Sequence, residues 1–244
     1  MYVLCLFIVT LAPIFFLGLY IYHKDIYEKE PKKMLVKLFF SGVLSVIITV
    51  ILTSVLQSLI PFFKAEDIEV LNYSLIELFI YVFIGVALIE ELSKWIYVKV
   101  IAWKNKEFNY VYDAIVYAVF VALGFATIEN VMYSLIYSTA HNVLLRAILS
   151  VPCHAFCGVF MGYFLGKAKL SKILGNQQYK IQLFLSLSIP IIIHGVFDYL
   201  IYAYNLFNSF LIIFIIFIVF LYIISFICIK RTSKDATTFI NNEN

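Results

Sequence analysis

Ten ionisable residues stand in or beside stretches of this sequence that are otherwise apolar: Glu77, Glu90, Glu91, Lys94, Asp113, Glu129, Arg146, His154, His194 and Asp198. A charge at mid-bilayer costs about 3 kcal/mol even on a lenient insertion scale. Left unpaired, Glu90, Glu91, Lys94, Glu129 and Asp198 would together cost on the order of 15 kcal/mol. Structural polar contacts between membrane helices normally use Ser, Thr or Asn, which are cheaper to bury, so these charges point to chemistry. A carboxylate can act as general base toward a water molecule. Two histidines with carboxylates can hold Zn²⁺, which acidifies bound water and polarises a carbonyl. Without a metal, the same histidines can donate hydrogen bonds to an oxyanion. Glu77, Asp113 and Arg146 lie near expected helix ends and read as interfacial.

The elements that must position these residues are membrane spans. The 244 residues are 64% hydrophobic and 14% charged, with a mean hydropathy of +0.98; a soluble domain carries about twice that charge. Apolar runs of membrane length recur along the chain, so the expected fold is an all-α, polytopic transmembrane helix bundle with no separate soluble domain. Seven spans are expected, near 2–22, 38–60, 74–100, 111–138, 143–166, 181–204 and 208–229. They form one transmembrane domain over 1–229, with the chemically interesting helices at about 74–204 and a polar tail at 230–244. No basic segment precedes the first span and no small-residue cleavage site follows it, so it reads as an anchor. Of the 18 basic residues, all but Lys64, Lys94 and Arg146 fall in or beside the connections after spans one, three, five and seven. The positive-inside rule then places the N-terminus outside and the C-terminus in the cytoplasm. The loop after span two is acidic, with Glu66, Asp67 and Glu69. Cys5, Cys153, Cys157 and Cys228 lie in apolar runs without zinc-type or CxxC spacing and read as buried small hydrophobes.

Helical spacing lets the polar residues converge. Residues four apart stack on one face. Ala87, Glu90 and Lys94 share such a face, with Glu91 about 100° round, which favours Glu90 for the interior. Lys94 is close enough to keep a carboxylate ionised, and Glu91 is a supporting group or a structural partner of Lys94. Phe125, Glu129 and Tyr133 form a second stripe, and His194 and Asp198 stack on a third helix. His154, Gly158, Gly162 and Gly166 form a stripe whose glycines allow a neighbouring helix to come close. Pro152 and Pro190 lie just ahead of the two histidines, and each removes a helical hydrogen bond and frees a carbonyl four residues back. In a membrane such backbone is tolerated where it is buried or lines a wet cavity.

No HExxH or GxSG occurs, and Tyr112-Asp113 lacks the GxGD partner of a presenilin-like aspartyl site. The chain does contain EExxK at Glu90–Lys94, FxxxExxxY at Phe125–Tyr133, HxxxG at His154–Gly158 and HxxxD at His194–Asp198. In this order, on four successive helices, these resemble the motifs of the PrsW family of intramembrane proteases. The stretch Asp25–Pro31, with Glu30-Pro31, resembles that family's acidic loop after the first helix, and the resemblance covers roughly residues 1–205. It implies an endopeptidase of the bacterial cell membrane that cuts single-span membrane proteins, notably anti-sigma factors, to start regulated proteolysis in stress signalling. It implies Glu90 as base, Glu91 beside it and Lys94 tuning either. Glu129, His154 and His194 would be zinc ligands or, without metal, groups that position water and oxyanion. Asp198 would orient His194 or ligate directly. Distant relatives, the type II CAAX prenyl endopeptidases, share the EE motif and keep the metal-free mechanism open.

The rival reading is a proton- or ion-coupled carrier, which would also place carboxylates and histidines at mid-membrane but often shows duplicated halves; no internal repeat is visible here. The lipid bilayer and a membrane-protein substrate are the expected partners, and no nucleic acid is. Reporter fusions in loops 23–37, 101–110 and 167–180 should report cytoplasm, and fusions near 66 and 141 the outside. Two or more reversed loops would contradict the seven-span topology.

Overall fold

A computed structural model describes residues 2–64, 72–136, 139–235, 237 and 239, with side chains from residue 8 onward except that of residue 136. The expected acidic loop with Glu66, Asp67 and Glu69, and the side chain of Cys5, lie outside the described residues. The described residues form helices and turns: α1 (Tyr2–Lys24), α2 (Lys32–Leu59), a short 3₁₀ turn (Pro61–Lys64), α3 (Leu75–Ile80), a π-helical segment (Tyr81–Ala87), α4 (Leu88–Ala102), α5 (Val111–Ile136), α6 (Ala140–Ile148), α7 (Ser150–Ile173), α8 (Gln178–Leu206) and α9 (Phe210–Thr232).

These match the seven expected spans, with two internal features that periodicity did not indicate. The third span is one rod, α3–π–α4, because Ile80 and Leu88 at the junctions keep right-handed helical geometry. Five helical stretches are long and apolar enough to cross a membrane by length and composition alone: α2, α5, α6–α7 taken together, α8 and α9. The apolar part of α1 over its described side chains is shorter, Ile8–Lys24. The third rod, with the π segment inside it, carries Glu90, Glu91 and Lys94. In the fifth span, Pro152 falls in the first turn of α7, where a missing N–H is tolerated, and the helix breaks at Leu149 between α6 and α7. The Ile148 carbonyl, four residues before Pro152, accepts the Tyr222 hydroxyl at 2.9 Å, so a protein group rather than a cavity takes up that backbone oxygen.

Helix α5 is the hub of the bundle: 83% of its apolar stretch lies inside, against 17% for α9. Small residues let its neighbours close in. A Cβ at Gly158 would stand 2.9 Å from Val119 Cα, and one at Gly166 would stand 2.7 Å from the Val111 carbonyl oxygen. A Cβ at Gly162 would run into the Ala114 backbone. The expected glycine stripe of α7 therefore lies against α5. On another side of α5, Gly42 of α2 meets the Val121 carbonyl and Gly124 meets that of Phe39. Backbone-to-backbone contact on two sides holds α2, α5 and α7 in fixed register, because interiors at this density cannot absorb even a methyl group without a shift.

Asp113 departs from expectation. It is fully buried, and its Oδ2 accepts the backbone N–H groups of Asn109 (2.8 Å) and Tyr110 (2.7 Å), capping the turn into α5. Glu77, by contrast, is exposed and closes a capping box with Ser74 at the start of α3, as an interfacial residue would. On the lysine-rich side, the loop after α1 folds under α5, with Asp25 and Glu30 both buried. Burial and the nearby Asp113 charge push the Glu30 carboxyl up to about 9, and burial pushes that of Asp25 up to about 6. Beyond α9 the expected polar tail turns back: Phe239 is buried against Phe108, and its N–H donates to the Asn109 carbonyl at 2.7 Å. Cys153 and Cys157 are buried free thiols, whereas Cys228 is half-buried.

Candidate active site

The four motif helices, α4, α5, α7 and α8, bring their polar side chains to one place. At its centre is Lys94, with 1% of its side chain exposed. Its Nζ donates to Glu91 Oε1 at 2.6 Å and meets His154 Nδ1 at 3.1 Å, while Glu90 Oε2 stands 3.6 Å away. The Phe125 ring covers the ammonium at 4.2 Å, a cation–π contact strengthened by desolvation. Glu91 is fully buried, and the same Oε1 also meets His194 Nδ1 at 2.9 Å. The helical-face expectation thus holds only in part. Glu91, three residues from Lys94, is its closer partner, because positions three apart on a helix are neighbours as much as positions four apart.

The hydrogen bonds assign the imidazoles. A lysine ammonium has only donors, so His154 Nδ1 accepts and its proton sits on Nε2, which donates to Glu129 Oε2 at 2.6 Å. Glu129 Oε1 pairs with Arg146 Nη2 at 2.8 Å. Arg146, expected at the interface, is instead part of this network. Its Nε donates to Asn130 Oδ1 (2.9 Å), its Nη2 to Ser150 Oγ (3.2 Å), and its guanidinium lies 3.8 Å over the Tyr133 ring. Sequence reading missed it because an arginine near a predicted span end has an interfacial explanation; the break at Leu149 turns α6 and carries it back toward Glu129. Each residue of FxxxExxxY therefore has a contact: Phe125 over Lys94, Glu129 to His154 and Arg146, Tyr133 beneath Arg146.

His194 Nδ1 faces an acceptor-only carboxylate and so donates to Glu91. Its Nε2 points the other way, 3.3 Å from Asp198 Oδ2 and 3.9 Å from Glu90 Oε2. The two histidine rings lie 5.0 Å apart and nearly perpendicular. Glu90 Oε2 is buried with no hydrogen-bond partner, yet 13% of the Glu90 side chain is exposed, against none of Glu91. Of the two adjacent glutamates, Glu90 is therefore the one with a path to the surroundings.

A zinc ion fits this donor set in part. Donors about 2.0–2.2 Å from one ion at near-tetrahedral angles lie about 3.4 Å apart, close to the separations from His194 Nε2 to Asp198 and Glu90. Glu90, His154 and His194 each offer a donor atom within 4.8 Å of the others. Glu129 is not in that group, contrary to the expected ligand set: it is held by Arg146 and by His154 Nε2. His154 could ligate only by releasing Lys94 or Glu129. Of the remaining expected ligands, His194 is in that group, and Asp198 Oδ2 lies 3.3 Å from His194 Nε2.

Comparisons with known proteins give the family. The family profile described as "PrsW family intramembrane metalloprotease" matches residues 30–225. The chain is 34% identical over 193 residues to Protease PrsW of Bacillus subtilis (strain 168), covering 79% of this chain and 81% of that protein. It is 37% identical over 203 residues to Protease PrsW of Clostridioides difficile (strain 630), covering 80% and 79% respectively. No solved structure matches the chain. With its helices long and apolar enough to cross a bilayer and its catalytic-type residues gathered between them, this chain is a multi-pass membrane protease belonging to the PrsW family of intramembrane metalloproteases.

Proposed function

We propose that the transmembrane unit over 1–229 hydrolyses a peptide bond of a single-span membrane protein, with Glu90 as general base. The observation that carries this reading is Glu90 Oε2, which has no hydrogen-bond partner, lies 3.9 Å from His194 Nε2 and belongs to a side chain 13% exposed, whereas that of Glu91 is fully buried. Glu90 takes the proton of the attacking water, with the Lys94 ammonium 3.6 Å from its Oε2. Glu91 holds His194 through Nδ1, which leaves Nε2 facing Asp198 at 3.3 Å and Glu90 at 3.9 Å. Glu91 and Lys94 form the fixed charge pair beneath. His154, Glu129 and Arg146 form a hydrogen-bonded chain that keeps Lys94 aimed inward.

His194 and Asp198, with Glu90 or His154 as third neighbour, are the residues that would hold a zinc ion. Bound there, zinc would acidify a water and polarise the scissile carbonyl. The substrate is a membrane protein, as the family implies; an anti-sigma factor cleaved in a stress response is the form of it we propose, on the motif resemblance across four helices.

Co-expression with single-span anti-sigma factors tests the substrate and the base together. Glu90→Gln should insert and melt like wild type, yet cleave roughly 10²–10⁴-fold more slowly. Glu91→Gln should instead lose folded protein, since removing one partner of a buried ion pair costs about 3–5 kcal/mol. Cleavage by Glu90→Gln at the wild-type rate would overturn the assignment. For the metal, elemental analysis should find one zinc per chain in wild type and a loss of it in His194→Ala. Chelator-washed protein that is metal-free and still cleaves at full rate would count against zinc.

A further inference from the structure

A second group of carboxylates lies on the lysine-rich side of the bundle, away from the motif cluster. Asp113 and Glu129 are both on α5, 16 residues apart, which is about 24 Å along a helix. Asp25 from the loop after α1, Glu30 just ahead of α2, and Asp113 in the first turn of α5 each bring a carboxylate oxygen within 4.8 Å of the other two. All three side chains are buried, none more than 4% exposed.

Part of this group is satisfied by the protein. Asp113 Oδ2 accepts two backbone N–H groups, and Glu30 Oε2 accepts the Tyr117 hydroxyl at 2.7 Å. Asp25 Oδ2 and Asp113 Oδ1 are buried and have no hydrogen-bond partner. Lys29 is near, but its ammonium donates to the main-chain carbonyls of Tyr22, His23 and Asp25, closing the end of α1. Among the described residues no ion pair reaches any of the three carboxylates. Buried polar atoms are nearly always partnered, and here two carboxylate oxygens with no hydrogen-bond partner converge beside a third carboxylate, while the Lys29 ammonium that offsets the Asp25 charge bonds main-chain carbonyls instead. The donor set is all oxygen, with no histidine or cysteine, which suits a hard cation and not zinc.

We propose that Asp25, Glu30 and Asp113 bind one hard divalent cation of the Mg²⁺, Mn²⁺ or Ca²⁺ class. The ion ties together the end of α1, the start of α2 and the start of α5, the three points at which the scaffold of the membrane site is anchored on this side. The chain's end lies over the same region: Phe239 N–H meets the Asn109 carbonyl, and the Tyr27 hydroxyl donates to the Lys234 carbonyl at 3.0 Å. The site is independent of whether zinc is held at His194.

The test is titration of chelator-washed, full-length protein in detergent with Mn²⁺, following the free ion by electron paramagnetic resonance. Wild type should take up one equivalent, displaced by excess Mg²⁺ or Ca²⁺, with a rise in melting temperature. Asp25→Asn should bind at least tenfold more weakly. In this variant the Asn carbonyl can still accept the backbone N–H groups of Glu28 and Glu30 that meet the Asp25 side chain, and Glu30→Gln gives a second reading if it proves unstable. His194→Ala should keep the equivalent. No Mn²⁺ uptake by folded wild type would overturn the proposal and leave the carboxyls sharing protons. Uptake lost in His194→Ala and kept in Asp25→Asn would overturn it as well, placing the ion at the membrane site.

Discussion

A lysine ammonium buried to 1% exposure in the middle of a membrane bundle is the constraint on which the site depends. Such a group persists only if opposite charge and hydrogen-bond acceptors surround it. Lys94 meets that demand with Glu91 at 2.6 Å, His154 at 3.1 Å and the face of Phe125. Each choice has a consequence. Glu91 Oε1, shared with His194, becomes a fixed part of the core. His154, forced to accept on Nδ1, must donate from Nε2 to Glu129, which is then held by Arg146. Each of the two adjacent glutamates keeps one oxygen without a hydrogen-bond partner, but only Glu90 is partly exposed, with its Oε2 3.9 Å from His194 Nε2. In the proposed mechanism, one buried cation thus separates a structural Glu91 from a reactive Glu90.

The scaffold makes this arrangement rigid. α5 contributes Phe125, Glu129 and Tyr133, and α7 contributes His154; between them there is backbone contact at Gly158, Gly162 and Gly166 with no side chain to yield. On another side α2 meshes with α5 at Gly42 and Gly124. The π-helical turn at Tyr81–Ala87 lies directly ahead of the helix bearing Glu90, and Phe63 packs against its Gly85. Insertions of this kind recur at functional sites, where they re-aim a helix face without breaking it.

Much of this is legible in the sequence, for physical reasons. Spans show because a bilayer demands apolar runs of fixed length, and the glycine stripe shows because only a close partner helix needs one. The motif residues show because charge in hydrocarbon is too costly to be incidental. What is hidden depends on geometry rather than composition. The relative roles of Glu90 and Glu91 depend on which neighbour Lys94 reaches, and positions three and four apart are too alike on a helical wheel to decide. Arg146 and Asp113 stand near span ends, where charge is unremarkable; a helix break at Leu149 and a capping turn at Asn109–Tyr110 bring them inside. Glu129 and His154 share the types of zinc ligands, and only the geometry shows that Glu129 is held by Arg146 and His154 while His154, though bonded to Lys94, stays within reach of Glu90 and His194.

The central claim is that Lys94 and Glu91 act as one neutral unit supporting the site. A double-mutant cycle on thermal stability in detergent tests it most directly. Lys94→Met and Glu91→Met should each destabilise by about 3–5 kcal/mol, because each leaves a buried charge unpaired. The double variant, which removes both charges, should be more stable than either single variant. If the double variant instead loses the sum of the two single losses, the pair is not coupled, and the division of labour between Glu90 and Glu91 has no foundation.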